Sequence, residues 1–207
     1  QSSLNLNGTV SRHSSLQIRF QSSNLNELAS VADALDPALQ APNSQLGLYG
    51  TASFTGAMRG STSVPQLAGQ LRAESLQIKG SSWRMLRTDV EVNPSLAALR
   101  NGELQTANGG RITFSLSTAL RHWNFDQNSQ IDVALNANQV NADDLTKLAG
   151  RPVPIAGILS ANIFVNGSES SPLGKGEIGL AKARIAGEPV QSAELNFQAS
   201  KDEMQAN

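Results

Sequence analysis

The sequence predicts an all-β chain, a mainly antiparallel meander interrupted by one or two short amphipathic helices, and three observations predict it. Apolar and polar residues alternate with a period of two, glycines punctuate the alternating runs, and a set of strand and turn patterns recurs roughly 110 residues further on. Period two is the signature of half-buried strands, because successive side chains point to opposite faces of a sheet.

In chain order, Leu4 and Leu6 open the alternation, followed by Leu16, Ile18 and Phe20. From Asn24 to Asp36 the rhythm changes: Leu25, Leu28, Ala32 and Leu35 recur at helical spacing and Pro37 prevents continuation, so a short amphipathic helix is expected. Alternation resumes and is clear again at Ile112, Phe114 and Leu116, then at Ile131, Val133 and Leu135. A second helix is expected over 141–150, with Asn141 or Asp143 as cap, Leu145 and Leu148 on one face and Gly150 closing the end. Ile163 and Val165, then Leu195 and Phe197, complete the apolar positions. Gly50, Gly56, Gly60, Gly69, Gly102, Gly167 and Gly176 punctuate the runs at intervals suited to turns and bulges, Gly109-Gly110 reads as a tight hairpin turn, and the Asn-Gly pairs at Asn7 and Asn166 as turns.

The recurrence organises the chain. Leu16, Ile18, Phe20 and Leu25 match Ile131, Val133, Leu135 and Val140 at one separation, 115 from 16 to 131. Pro65, Gly69, Leu71, Ile78 and Gly80 match Pro172, Gly176, Ile178, Ile185 and Gly187 at 107 from 65 to 172. Thr9, Arg12 and His13 match Thr118, Arg121 and His122 at 109 from 13 to 122. The expected division is the end of a preceding repeat over 1–13, one full repeat over 14–122 and a partial following repeat over 123–207, so the chain reads as a segment of a longer array.

Charged residues are 16% of the chain, with formal net charge -1, and Asn, Gln and Ser take up the polar positions. This near-neutral balance argues against nucleic acid as a partner. There is no cysteine, which excludes disulfides and thiolate metal sites and suits an oxidising compartment. No apolar run is long enough for a membrane-spanning helix.

The segments Gly102–Ser117 (GELQTANGGRITFSLS), Gln130–Gly150 (QIDVALNANQVNADDLTKLAG), Pro152–Gly167 (PVPIAGILSANIFVNG) and Gly176–Phe197 (GEIGLAKARIAGEPVQSAELNF) carry a resemblance to the AsmA-like superfamily, within it the translocation-and-assembly-module TamB group. The resemblance covers nearly the whole chain. It implies an elongated, curved sheet folded over into a groove with an apolar concave face, in a protein anchored at the inner membrane that crosses the periplasm. It further implies phospholipid movement between inner and outer membranes and outer-membrane protein assembly beside a β-barrel partner. The anchor helix and the barrel-facing region that the group carries are not in this sequence.

Catalytic and metal chemistry find no support in the spacing. His13 and His122 occupy equivalent places in the repeat, as a duplicated turn residue would, and lack clustered partners. Asp143 and Asp144 stand where carboxylates favour a helix N-terminus, and Glu103, Asp126 and Asp132 show no pairing suited to a hydrolase. Gly109-Gly110-Arg111 lacks the following helix of a phosphate loop, and the helix over 24–36 and its counterpart carry too few basic residues to lie on a membrane. Tyr49, Trp83 and Trp123 are too scattered to stack nucleic-acid bases and are expected to pack structurally. No catalytic residue, cofactor or metal site is expected.

What remains is a surface. If the alternating side chains all face inward, successive strands join them into one apolar stripe, and a contiguous stripe beyond a few hundred Å² marks a binding surface. The expected lining is Leu16, Ile18, Phe20, Ile112, Phe114, Leu116, Ile131, Val133, Leu135, Ile163, Val165, Leu195 and Phe197. Its expected occupants are phospholipid acyl chains, with neighbouring repeats of the chain at its ends. Three readings compete with an open groove: the stripe closing into an ordinary sandwich core, a structural or adhesive β-repeat of a cell-surface protein, and an enzyme of carbohydrate or peptidoglycan metabolism. The repeat length, far above the usual 20 to 30 residues or so of solenoid coils, counts against the adhesive reading.

Overall fold

The computed structural model describes residues 2–11, 14–26, 48–61, 63–78, 80–148, 153–200 and 203–207. Strong alternation makes long strands, and those described are β1 (Ser2–Thr9), β2 (Ser14–Ser22), β3 (Tyr49–Gly60), β4 (Pro65–Ile78), β5 (Ser81–Asn93), β6 (Leu96–Thr106), β7 (Arg111–Ala119), β8 (Ile131–Asn141), β9 (Ile155–Ser168), β10 (Ser171–Ile185), β11 (Glu188–Ser200) and β12 (Glu203–Ala206). They form one open sheet of twelve strands in sequence order, each antiparallel to the next. The sandwich expectation is thereby overturned, since no second sheet covers the first among the described residues.

One helix is described, α1 (Ala142–Leu148), within the expected 141–150: Asn141 is the last residue of β8, and 149–150, with the expected Gly150 end, lie outside the described residues. Asp143 and Asp144 occupy its first turn and Lys147 its last, where each favours the helix dipole, and Lys147 pairs with Asp143 one turn away. That pairing raises the Lys147 ammonium pKa. Of the helix expected over 24–36, Leu25 and Asn26 are helical, Asn24 precedes them outside the helix, and 27–36 lie outside the described residues.

The sheet curls on its apolar side. α1 packs against β5, β8 and β9 together, and the Ser81 hydroxyl at the head of β5 donates to the Asp144 carbonyl at 2.8 Å. In a flat sheet β5 and β9 would lie about 19 Å apart, four strand spacings, whereas α1 is only about 10 Å long, so the sheet wraps toward the helix. Bulges supply the bend: Ser75 in β4, Asn101 in β6, Gln139 in β8 and Lys182 in β10 all have φ between 51 and 54 degrees, each where the register slips or skips. A bulge adds local twist and bends its strand, and here one sits in every second strand across the middle of the sheet.

The two halves of the sheet repeat each other in conformation. Gly50 and Gly157 (φ 125 and 145), Gly60 and Gly167 (97 and 105), Ser75 and Lys182 (52 and 51), and Gly80 and Gly187 (80 and 93) are each 107 apart. The Ser61–Ser63 hydroxyl bridge of 3.0 Å recurs as Ser168–Ser170 at 3.0 Å. One correspondence read from the sequence is wrong by a residue. Thr9 pairs with Ser15 on the polar face, while Thr118 pairs with Ile131 on the apolar face. The pairing register equates Gly8 with Thr118.

Other sequence expectations are corrected. Gly102 stands at a bulge of β6, as expected, whereas Gly56, Gly69 and Gly176 are neither turns nor bulges but lie in regular strand, and Asn7-Gly8 and Asn166-Gly167 belong to β1 and β9. Gly8 is required where it stands, since a Cβ there would meet the Ser15 carbonyl oxygen at 2.0 Å. Trp83 is buried as expected, but Tyr49 and Trp123 are exposed, the latter on the long β7–β8 loop. Gly109-Gly110 does form the expected tight hairpin, with Gly110 N–H donating to the Thr106 hydroxyl at 2.8 Å and Thr106 N–H to the Gly110 carbonyl at 2.9 Å.

Candidate functional site

Residues paired across an antiparallel sheet point to the same side, so the register shows which side chains share a face. One lateral row runs Leu6, Ile18, Gly56, Gly69, Val90, Leu99, Leu116, Val133, Val165, Gly174, Ala199, one residue from each of β1 to β11. At about 4.8 Å per strand this apolar path is about 50 Å long measured along the sheet. A parallel row on the side nearer α1 contains Phe20, Phe54 and Leu71, and after a bulge Gly102, Phe114, Leu135, Ile163, Gly176 and Phe197. A third, on the far side, includes Leu16, Met58, Leu67, Val92, Ala97, Thr118 and Ile131.

All thirteen lining residues expected from the sequence fall on this single face. Leu16, Ile18 and Phe20 are half-buried on β2, Phe114 half-buried and Leu116 exposed on β7, and Ile131, Val133 and Leu135 half-buried on β8. Ile163 and Val165 on β9 and Phe197 on β11 are half-buried, and Leu195 is exposed. Ile112 departs from the rest: it is sealed, 4% exposed, in the core cluster. Sequence reading missed Phe54, Met58, Leu67, Leu71, Val90 and Leu99, although TASFTGAMRG and the Leu67-Gly69-Leu71 run carry the same alternation.

The face divides into two zones. At the bulged end, Ala73, Leu76, Trp83, Leu104, Ile112, Ala137, Val140 and Ala161 form a sealed cluster with Leu25, and Leu145 of α1 packs against it. Among the described residues the Trp83 indole N–H has no hydrogen-bond partner there. Beyond the bulges no described element covers the face, and its apolar side chains stay half-buried or exposed, while Thr88 and Ser14 on it are buried.

Three phenylalanines lie flat along the floor of the open zone. A Cβ on Gly102 would sit 2.4 Å from the Phe114 ring, one on Gly176 2.6 Å from Phe197, and those on Gly56 and Gly69 2.7 and 2.6 Å from Phe54. Only glycine leaves room for a ring to lie down, so these mid-strand glycines keep the face shallow and wide.

The opposite face is polar and holds an ionic clasp. Glu103 on β6, its carboxylate nearly buried, takes Arg87 of β5 at 2.7 Å and Arg111 of β7 at 3.1 Å, and accepts from the Gln105 amide at 2.7 Å. The Gln105 hydrogen bond, with Arg111 and Arg87, holds its pKa below the usual glutamate range against the opposing effect of burial. Asp89 is lowered likewise by the Asn101 and Gln70 amides. These contacts tie neighbouring strands and converge on no reacting centre. Asp126 pairs instead with Arg121 at 3.4 Å, and His122 sits on the β7–β8 loop; His13 lies outside the described residues. Among the described residues no group of three His, Cys, Asp or Glu is arranged to hold a metal.

A shallow depression of about 500 Å³ also opens over β6 to β11, and its lining mixes Leu99, Leu116 and Val133 with Ser117, Asp132 and Lys175.

Searches of protein-family models, curated proteins and solved structures find no match to this chain.

Proposed function

We propose that the chain is a periplasmic segment of an envelope-spanning bridge protein, whose open apolar face carries phospholipid acyl chains between inner and outer membranes and serves outer-membrane protein assembly beside a β-barrel partner. The observation that carries this reading is the row from Leu6 to Ala199, continuous across eleven strands and with no described element over its open side. The resemblance to the AsmA-like superfamily supports the compartment and the barrel partner.

The energetics suit a conduit. Each methylene removed from water contributes about 0.8 kcal/mol, so a chain of about 16 fully covered would gain about 13 kcal/mol. A one-sided trough covers only part of that, so it holds a tail less tightly than a bilayer does and still spares it most of the exposure of an aqueous crossing. No step of this function breaks or forms a covalent bond, and the side chains present perform no catalysis in it.

Photo-crosslinking in living cells tests the reading. A photoreactive residue at Val133 or Leu116 should capture phospholipid, and one at Asp132 or Ser117 on the polar face should not. Val133→Asp, in a protein that still folds, should abolish capture from Leu116; undiminished capture would sink the proposal. A structural or adhesive β-repeat remains the second reading, motivated by the Asn- and Ser-rich polar face, and it expects no lipid at either position.

A further inference from the structure

The polar face differs between its two halves. On β4 to β6 its amides are committed: Gln70 and Asn101 donate to Asp89, and Gln105 donates to Glu103 while accepting from Arg84. On β8 to β11 they are not. The register sets Asn136, Asn162, Glu177 and Asn196 side by side across those four strands, with Phe164, Lys175 and Gln198 in the next row. All seven are exposed, and among the described residues none of the six polar side chains has a hydrogen-bond or ion-pair partner.

Phe164 is 46% exposed among these amides. A lone apolar side chain at a surface needs no explanation, but this one borders hollows. Its cross-strand neighbour on β8 is Ala134, and the residue beyond, on β7, is Ser115; neither is large enough to fill the space beside the ring. A depression of about 450 Å³ has Ser115, Ala134, Asn136, Asn162 and Phe164 in its lining. A second, of about 340 Å³, has Phe164 again, with Asn162, Lys175, Glu177, Asn196 and Gln198. Hollows of about 300 Å³ and upward are the size of ligand sites.

We propose that the polar face of β8 to β11 is a binding site for a neutral oligosaccharide lying across the strands, with one pyranose ring stacked on Phe164 and the hydroxyls of its neighbours bonded by Asn136, Asn162 and Asn196. An aromatic ring offers its face to the C–H side of a sugar, and an amide, with donor and acceptor side by side, meets two adjacent hydroxyls at once. Lys175 and Glu177, the charges set among these amides, cancel, which suits a ligand without net charge. Strands stand about 4.8 Å apart, close to the repeat of a pyranose in an extended β-linked chain, so successive sugars meet successive strands. Other occupants fit worse. A peptide that binds by main-chain pairing needs a sheet edge, and β8, β9 and β10 are paired on both sides. A nucleic acid needs a basic surface, and an acyl chain would leave the amides covered and unbonded. The site lies on the face opposite the apolar trough and does not rest on the lipid reading.

The test is an NMR titration of the chain with cellotetraose, with tetra-N-acetylchitotetraose and, as a curled control, with maltotetraose. The expected result is saturable binding of at least one of the two extended sugars, with maltotetraose several-fold weaker. The side-chain amide signals of Asn136 and Asn162 should move ahead of the Val133 and Val165 methyls, which lie on the other face. Phe164→Ala should weaken binding about tenfold or more, as truncating an aromatic anchor does, while Phe164→Trp keeps it. Asn162→Ala should weaken it several-fold, and Gln70→Ala, whose amide serves Asp89, should leave it unchanged; circular dichroism checks that each variant folds. No binding of either extended sugar, equal binding of maltotetraose, undiminished binding by Phe164→Ala, or methyl signals moving first would overturn the proposal. So would a tetraalanine peptide that binds where the sugars do not, which would make the site a peptide groove.

Discussion

Ile112 and Leu116 stand four residues apart on β7, on the same face of the same sheet, yet the first is 4% exposed and the second 40%. Period two decides which face a side chain takes, but what stands above that face decides whether it is sealed. Over Ile112 lie the bulges, α1 and Leu25; over Leu116 no described element lies. The sealed end holds the fold, and the open end is free to do something else. A core cut off partway along its strands is the structural form of that division of labour.

Substitutions can break or sharpen this contrast. The largest effect is expected at the sealed end. Trp83→Ala should cost about 3–5 kcal/mol in urea unfolding, as large aromatic truncations in a core do. Leu116→Ala, on the open face, should cost well under half as much. An equal loss at both positions would mean the open face is also a core.

Next come the floor glycines. Gly102→Ala drives a methyl against the Phe114 ring and should cost about 1–3 kcal/mol as an overpacked site. Adding Phe114→Leu should recover much of that loss, and the double-mutant cycle reports the coupling. Additive losses would show that the ring does not rest on the glycine.

The Glu103 clasp is a smaller effect, and its direction is fixed by its partners. The pKa of Glu103 is depressed in the folded state, so its contribution is fully present above the ordinary glutamate range and is lost as pH falls through the depressed value. Thermal unfolding from pH 7 downward should show the wild type losing stability in that acid window. Glu103→Gln should lose less stability over the same window, and identical pH profiles would remove the clasp from the account.

The smallest effect is at the bulges. Lys182 is exposed with φ 51, a conformation that costs an L-residue about 1–2 kcal/mol, so Lys182→Gly should be neutral or stabilising by up to about 1 kcal/mol. The same change at Gln70, in regular strand, should destabilise.

Much of this was legible in the sequence, and what was not has physical causes. Alternation placed all thirteen lining residues on one face, because period two is imposed by the backbone itself. It could not separate Ile112 from Leu116, since their difference arises from chain 30 or more residues away, at α1. The bulges escaped notice because Ser75, Asn101, Gln139 and Lys182 adopt a glycine-like φ without being glycine. The mid-strand glycines read as turns and bulges, which holds at Gly102 and not at Gly56, Gly69 and Gly176, for the complementary reason: they lie beneath Phe54, Phe114 and Phe197, a contact made across strands. The exposed Trp123 shows the same limit, since aromatic character alone does not say whether a partner surface exists.

The most direct test of an open apolar face is paramagnetic broadening of methyl signals by phospholipid carrying a nitroxide on its acyl chain. The account predicts selective broadening at Leu116, Val133 and Val165, with Leu76 and Val140 spared at the sealed end. Broadening that reached Leu173 on the polar face first, or none at Leu116 and Val133, would contradict it.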